Sequence, residues 1–247
     1  MQRFSRTRLF IGDAAFSRLS AGHVAVIGIG AVGGYVVEGL ARAGIGRLTL
    51  VDFDTIQVSN INRQLLALDS TIGQEKAVAA KQRVIQINPA CRVEAFPLFA
   101  DSDSITPVLA EQPDILIDAI DSLNPKVQIL TRSVKHGIKT MSSMGAALRS
   151  DPALIKTGDI SETRNCPLAR RLRQRLRANG IENNIFTVYS TETVQFDYPV
   201  SEPERSDQPF SDRGRVRRTL GSLPTLTGLF GLILANEALR YLIRAKR

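Results

Sequence analysis

Residues His23 to Ile29 form a short run rich in Val and Ile. A β-branched run of this length reads as a buried strand. Ala31 to Ala43 follows, with Val32, Val36, Val37 and Leu40 recurring at helical spacing on one face. Arg47 to Val51 reads as the next strand, which completes a βαβ unit. The alternation continues with a helix Gln74 to Ile87, strands Arg92 to Leu98 and Asp114 to Ile120, a helix Pro125 to Lys135 and a strand Thr140 to Ser143. Strands alternating with helices imply an α/β fold: a mostly parallel sheet covered on both faces.

After about Gly145 the rhythm changes. Cys166 to Ala178 reads as an Arg-rich helix, and Phe186 to Tyr189 and Thr193 to Phe196 as short strands. Pro199 to Leu220 is polar and interrupted by Pro203 and Pro209, the pattern of a mobile loop. Pro224 to Ile243 is an apolar closing helix. The expected organisation is one domain over 1–247: a nucleotide-binding core over 1–145 and a C-terminal α+β elaboration over 146–247. No internal repeat or low-complexity tract occurs.

Composition narrows the class. The chain has 247 residues, 43% apolar and 23% charged, enough to bury a core without a bias toward disorder. Its net charge is +8. Residues 1–150 carry a net of +3 and residues 151–247 a net of +5, so positive charge is denser in the later part. Such a surface draws polyanions through its field, or is simply solvated. The cysteines, Cys91 and Cys166, form no CxxC pair, which excludes a cysteine zinc site. Arg3, Arg6 and Arg8 are followed by no apolar signal region. The apolar run Leu223 to Ala235 is shorter than the roughly 18–20 residues a bilayer requires. A soluble, cytoplasmic protein without a membrane partner is expected.

Candidate chemistry begins at Gly28-Ile29-Gly30-Ala31-Val32-Gly33, where a strand meets a helix. Gly28 permits the tight turn, Gly30 lets phosphate approach the backbone, and Gly33 lets helix and strand pack closely. Free N–H groups and the helix dipole favour an anion there. Asp52, about 20 residues beyond, suits ribose hydroxyls. The unit is therefore expected to be Rossmann-type and doubly wound, and thus far NAD would fit as well as ATP. Arg63 and Lys76 then add two cations at the same sheet edge, which suits a triphosphate better than a dinucleotide linkage. Asp118 and Asp121 end a strand at this edge. They are candidates for Mg²⁺, or, with Ser122, for capping the next helix.

Gly28-x-Gly30-x-x-Gly33, Asp52-Phe53-Asp54, Ser59-Asn60-x-x-Arg63-Gln64, Gly73-Gln74-x-Lys76 and Asp118-x-x-Asp121 resemble, as an ordered set, the ubiquitin-activating-enzyme superfamily. That superfamily includes the bacterial adenylating enzymes of molybdopterin and thiamin synthesis. The resemblance spans roughly residues 3–145. It implies ATP and adenylation of a carboxylate, with Asp52 on the ribose and Arg63 and Lys76 on phosphates. It also implies Asp121 near Mg²⁺ and the α-phosphate, with Asp118 as a second candidate ligand, and Asp54, Ser59, Asn60, Gln64 and Ser122 around the nucleotide. Arg3-Phe4-Ser5-Arg6 resembles the family's N-terminal arginine motif, which implies that Arg6 (or less so Arg3) acts across a homodimer.

Over nearly the whole chain the similarity is to the tRNA threonylcarbamoyladenosine dehydratases. It is carried by Arg3-Phe4-x-x-Thr7-Arg8-Leu9, Asp159-Ile160-Ser161-Glu162, Cys166-Pro167-Leu168-Ala169, Tyr189-Ser190-Thr191-Glu192 and Leu220-Gly221-Ser222-Leu223-Pro224. This implies ATP-driven cyclisation of the threonylcarbamoyl group on the adenosine beside the anticodon. The family commonly has aspartate where Cys166 stands, which argues against a catalytic thiol. The alternative is an activator of a ubiquitin-like sulfur-carrier protein, disfavoured by the missing zinc cysteines. Whether a sulfurtransferase or sulfur-acceptor system is a further partner is left open. Arg170, Arg171, Arg173, Arg175 and Arg177 surround a helix whose Leu168, Leu172 and Leu176 should face inward, so the guanidiniums are expected outward, for tRNA phosphates. Arg213, Arg215, Arg217 and Arg218 form a second cluster that could order on RNA.

Overall fold

The structure, a computed structural model, describes residues 3–194 and 220–244. The strands are β1 (His23–Ile27), β2 (Arg47–Val51), β3 (Arg92–Phe96), β4 (Ile115–Asp118), β5 (Lys139–Ser143), β6 (Ile155–Asp159) and β7 (Ile185–Ser190). They form one sheet in the order β3-β2-β1-β4-β5-β7-β6, parallel throughout except for β6 against β7. The strand order reverses between β1 and β4, which opens a crevice at their C-terminal ends. The doubly wound α/β expectation is met.

The α-helices are α1 (Ser5–Ile11), α2 (Asp13–Ala21), α3 (Gly33–Ala43), α4 (Lys76–Ile87), α5 (Thr106–Ala110), α6 (Leu123–Lys135), α7 (Pro167–Ala178) and α8 (Pro224–Ile243). The core on one face of the sheet includes Val24, Val26, Val36, Leu40, Leu48, Phe230 and Leu234, and Ile27, Val51, Ile105 and Leu116 fill the other. A third cluster seats α7 on α6 through Val127, Leu130, Ala169, Leu172 and Leu176. By length and hydropathy α8 would be long enough to cross a membrane. Its small residues lie close against α3: a Cβ at Gly231 would come 2.4 Å from the Val32 carbonyl oxygen.

Several elements escaped the sequence pattern. Helix α1 buries none of its residues and α2 only Ala15 and Leu19, so neither carries a long apolar stripe. Edge strand β6 is half-exposed to exposed along its length, with no alternation to read. Thr193 and Val194 are not in a strand, and the rest of that expected strand lies outside the described residues. So do the expected loop from Pro199, save Leu220, and the cluster Arg213 to Arg218.

His23 opens β1 at the edge opposite the crevice. Its Nε2 lies 2.8 Å from Thr49 Oγ1, and its backbone N–H donates to Asp114 Oδ2 at 3.0 Å. Burial, assisted by the Arg47 charge, pushes the imidazole down to about 4 from an ordinary 6.5. Below pH 6.5 the unfolded chain takes up a proton that the folded chain refuses. Stability therefore falls as pH drops from 6.5 to about 4, by on the order of 3 kcal/mol. Urea unfolding of His23→Gln should show a flatter pH dependence in this window than the parent. Equal slopes would remove His23 as the cause.

Candidate nucleotide site

The glycine loop joins β1 to α3 at the crevice. Gly28 has φ +88° and backs onto the end of β4, where a Cβ would lie 3.0 Å from the Ala119 carbonyl. A Cβ at Gly33 would lie 1.8 Å from the Gly28 carbonyl oxygen, so only glycine lets α3 start this close to β1. Gly30 has only the Gln64 amide nearby, 3.9 Å from where its Cβ would be, leaving an accessible N-terminal turn. The N-terminal end of α3 lies here, and its helix dipole suits phosphate.

Asp52 closes β2 beside this loop. Its Oδ2 accepts from the Ile29 N–H at 2.6 Å and its Oδ1 from the Asp54 N–H at 2.9 Å. Burial pushes its carboxyl above the usual range, with the Lys76 charge opposing the shift. The carboxylate thus shapes the glycine loop and keeps lone pairs for further donors. Beyond it, residues 54–56 and 73–76 are tied by Lys76 N–H to Asp54 O (2.9 Å), Ile56 N–H to Gln74 O (2.8 Å) and Gly73 N–H to Ile56 O (2.8 Å). Lys76 is buried and its Nζ donates to Asp54 Oδ2 at 2.8 Å. Asp54 and Lys76 therefore hold one another in this structure.

Ser59 and Asn60 lie in a short 3-10 turn. Buried Asn60 accepts from the Gln57 N–H at 3.2 Å, which places it as a bracket for the turn. The exposed Ser59 lends its carbonyl to Arg63, whose Nη1 also reaches Asn62 Oδ1 at 2.9 Å. Arg63 is half-buried and forms no ion pair among the described residues.

Asp118 requires correction as a candidate metal ligand. It is fully buried, its Oδ2 lies 2.5 Å from Lys126 Nζ and 2.6 Å from Ser142 Oγ, and its Oδ1 accepts from the Ile120 N–H. A carboxylate so enclosed has no face left for a cation. Lys126 and Ser142 were missed by sequence reasoning. The available signal was Lys126 standing in phase with Ile129, Leu130 and Ser133 on the inward stripe of α6. Asp121, by contrast, is exposed, and Ser122 occupies the N-cap of α6. Among the described residues no group of three or more His, Cys, Asp or Glu could hold a metal.

Arg6 is exposed on α1, far from the glycine loop of its own chain. Phe4 packs beside Gly44 at the C-terminal end of α3. The loop lies at the other end of that 11-residue helix, about 16 Å away. On α7 the expectation of outward guanidiniums holds in part. Arg170, Arg171, Arg175 and Arg177 are exposed. Arg173 instead folds onto Thr163, donating to its carbonyl at 2.8 Å and to its hydroxyl, and Arg175 donates to Asn124 Oδ1. Both thiols are buried. Burial pushes Cys91 up to about 11, and Cys166 caps α7 by accepting from the Ala169 N–H at 3.5 Å.

A sheet that binds ligands at a glycine-lined switch point defines a nucleotide-binding α/β protein. Comparison with known proteins makes the class specific. The sequence model of the ThiF family matches residues 4–247. The tRNA threonylcarbamoyladenosine dehydratase of Bacillus subtilis is 39% identical over 193 residues, 78% of this chain and 76% of that protein. The crystal structures of the Escherichia coli tRNA N6-threonylcarbamoyladenosine dehydratase with AMP and with ATP each superpose with a TM-score of 0.86. They share 33% and 31% identity and cover 98% of this chain and 94% of theirs. A sulfur carrier protein adenylyltransferase of Thermus thermophilus is 34% identical, over 56% of this chain and 51% of its own length. The chain belongs to the ThiF family and, within it, to the tRNA threonylcarbamoyladenosine dehydratases.

The buried pair makes a test. Lys126→Met leaves Asp118 charged and buried without a partner, expected to cost about 3–5 kcal/mol. Adding Asp118→Asn should recover most of that loss, and Mg²⁺ should shift neither unfolding curve. Recovery absent from the double variant, or stabilisation of the parent by Mg²⁺ that Asp118→Asn abolishes, would return Asp118 to the list of metal ligands.

Proposed function

We propose that this chain is an ATP-dependent tRNA threonylcarbamoyladenosine dehydratase, which cyclises the threonylcarbamoyl group beside the anticodon by adenylating its carboxylate. The observation that carries this is that the likeness to the dehydratase structure spans 98% of this chain, whereas the match to the sulfur-carrier activator covers 56%. The glycine loop fits ATP: it lacks side chains where phosphate must approach, and Asp52 faces it. Bound ATP with Mg²⁺ supplies an electrophilic phosphorus and a pyrophosphate leaving group. Asp52 then orients the ribose, with Gln64, Asn60 and Ser59 around the nucleotide. Arg63 neutralises phosphate charge, as does Lys76 on release from Asp54. Asp121 is the side chain that would hold Mg²⁺, which would offset negative charge at the phosphates. The attacking carbamoyl group is on the same molecule as the activated carboxylate. Ring closure, which breaks the acyl–phosphate bond and expels AMP, therefore benefits from high effective molarity and needs no enzyme thiol, in keeping with two buried cysteines.

The active form is a homodimer in the cytoplasm, where tRNA and ATP are found. Supporting the dimer, Leu9 and Phe10 are 85% and 91% exposed on the short helix that carries Arg6. A second subunit covering them would remove this apolar surface from water and deliver Arg6 to the partner's site. Exposed Arg170, Arg171 and Arg177 meet tRNA phosphates.

Incubation with ATP, Mg²⁺ and tRNA carrying threonylcarbamoyladenosine should convert that nucleoside to a product 18 mass units lighter, the mass of one water, as read by mass spectrometry. Pyrophosphate release with a ubiquitin-like carrier protein and none with tRNA would instead establish the sulfur-carrier reading. Arg6→Ala and Asp121→Ala should each be nearly inactive alone. Mixed under subunit exchange they should regain activity, since each heterodimer then has one intact site. A mixture that stays inactive while exchange is demonstrated would place Arg6 outside the site.

A further inference from the structure

Arg149 is 3% exposed, and of its guanidinium only Nη2 has a partner, the Asn165 carbonyl at 2.9 Å. Its Nε and Nη1 are buried and bonded to nothing. The neighbouring acid, Glu192, feels the Arg149 charge but accepts no hydrogen bond from it; it accepts from the Ser150 N–H (2.9 Å), the Ser150 hydroxyl (2.9 Å) and the Asp151 N–H (3.1 Å). A buried cation with idle donors is costly, and a fold built only for stability would pair or remove it. The residue before it, Leu148, is a bulky side chain at φ +61°, held by its N–H to the Gly221 carbonyl at 2.9 Å. Underbonded charge and local strain coincide here, a combination that gathers at ligand sites.

Topology places this cation on the catalytic edge. Arg149 follows β5, Asn165 precedes α7, and the Asn165 side chain donates to Thr191 just beyond β7 at 2.8 Å. Strands β1, β4, β5 and β7 are parallel, so these loops lie on the same edge as the glycine loop and Asp121. Leu123, two residues after Asp121, packs in the cluster that contains Met144 and Cys166.

We propose that Arg149 is the receptor for the substrate's carboxylate, pairing with the threonylcarbamoyl group and orienting it for adenylation. This rests on the dehydratase reading. The carboxylate would give the two idle nitrogens the acceptor that the protein withholds, a charge-assisted contact that a planar guanidinium makes well.

The test uses the full-length protein with Arg149→Lys, Arg149→Gln and Arg149→Met. Its readouts are thermal unfolding, ATP affinity, and affinity for tRNA with and without the threonylcarbamoyl group. The parent should prefer the modified tRNA. Arg149→Gln and Arg149→Met should lose that preference by roughly 10–100-fold, with ATP affinity unchanged. Arg149→Lys should regain part of it. Thermal unfolding of Arg149→Gln separates loss of the Asn165 contact and of the attraction to Glu192 from loss of recognition. Retained preference in the variants, equal weakening toward both tRNAs (a backbone phosphate contact) or weakened ATP binding (a nucleotide contact) would each overturn the assignment. Failure of the parent itself to prefer or cyclise the modified tRNA would instead sink the dehydratase reading.

Discussion

Helix α3 starts so close to strand β1 that the Gly28 carbonyl occupies the space a side chain at position 33 would need. That contact sets the geometry of the crevice. It aims the α3 N-terminus at the sheet edge and forces the left-handed turn at Gly28. It also brings Ile29 N–H within reach of Asp52. Asp52 in turn anchors the start of the Asp54 segment, which pairs with the stretch leading into α4. A side chain at position 33 would push α3 outward and open each of these bonds in sequence. The phosphate cradle is thus a consequence of backbone proximity, and the polar side chains around it refine a space that the glycines create.

Charge is arranged by depth. The deepest pair, Asp118 with Lys126, is fully buried and completed by Ser142, and it locks α6 to β4 and β5. Its role is to fix where α6 begins, and so where Asp121 emerges. Lys76, buried, pairs with the half-buried Asp54. Arg63 is half-buried at the same sheet edge, and Asp121 is exposed. Arg149 breaks this order, being as deep as the structural pairs yet mostly unbonded.

Helix α7 divides its arginines between surface and fold. Its arginines crowd one short segment, yet two of them serve the fold. Arg173 clamps the Thr163 turn and Arg175 reaches Asn124 in the first turn of α6. The second contact links the arginine helix to the element that presents Asp121. Four of the five guanidinium-bearing residues, Arg170, Arg171, Arg175 and Arg177, remain exposed, and Arg173 is half-buried.

What the sequence determined alone was set by local rules. β-branched runs and helical periodicity located β1, α3, β2 and α8, because each buries a continuous face against the sheet. Glycine spacing marked the phosphate turn, because only glycine tolerates that backbone path. Helices α1 and α2 and strand β6 carry little buried surface, so their patterns were silent. Tertiary structure alone decided which charges are available. Asp118 reads as a ligand candidate until Lys126, eight residues on, turns inward to meet it, and Ser142 arrives from the next strand. Arg149 carried no signal, because its meaning lies in the partners it lacks. Burial and pairing depend on residues distant in the chain, and a charge buried without a partner is legible only once the chain has folded around it.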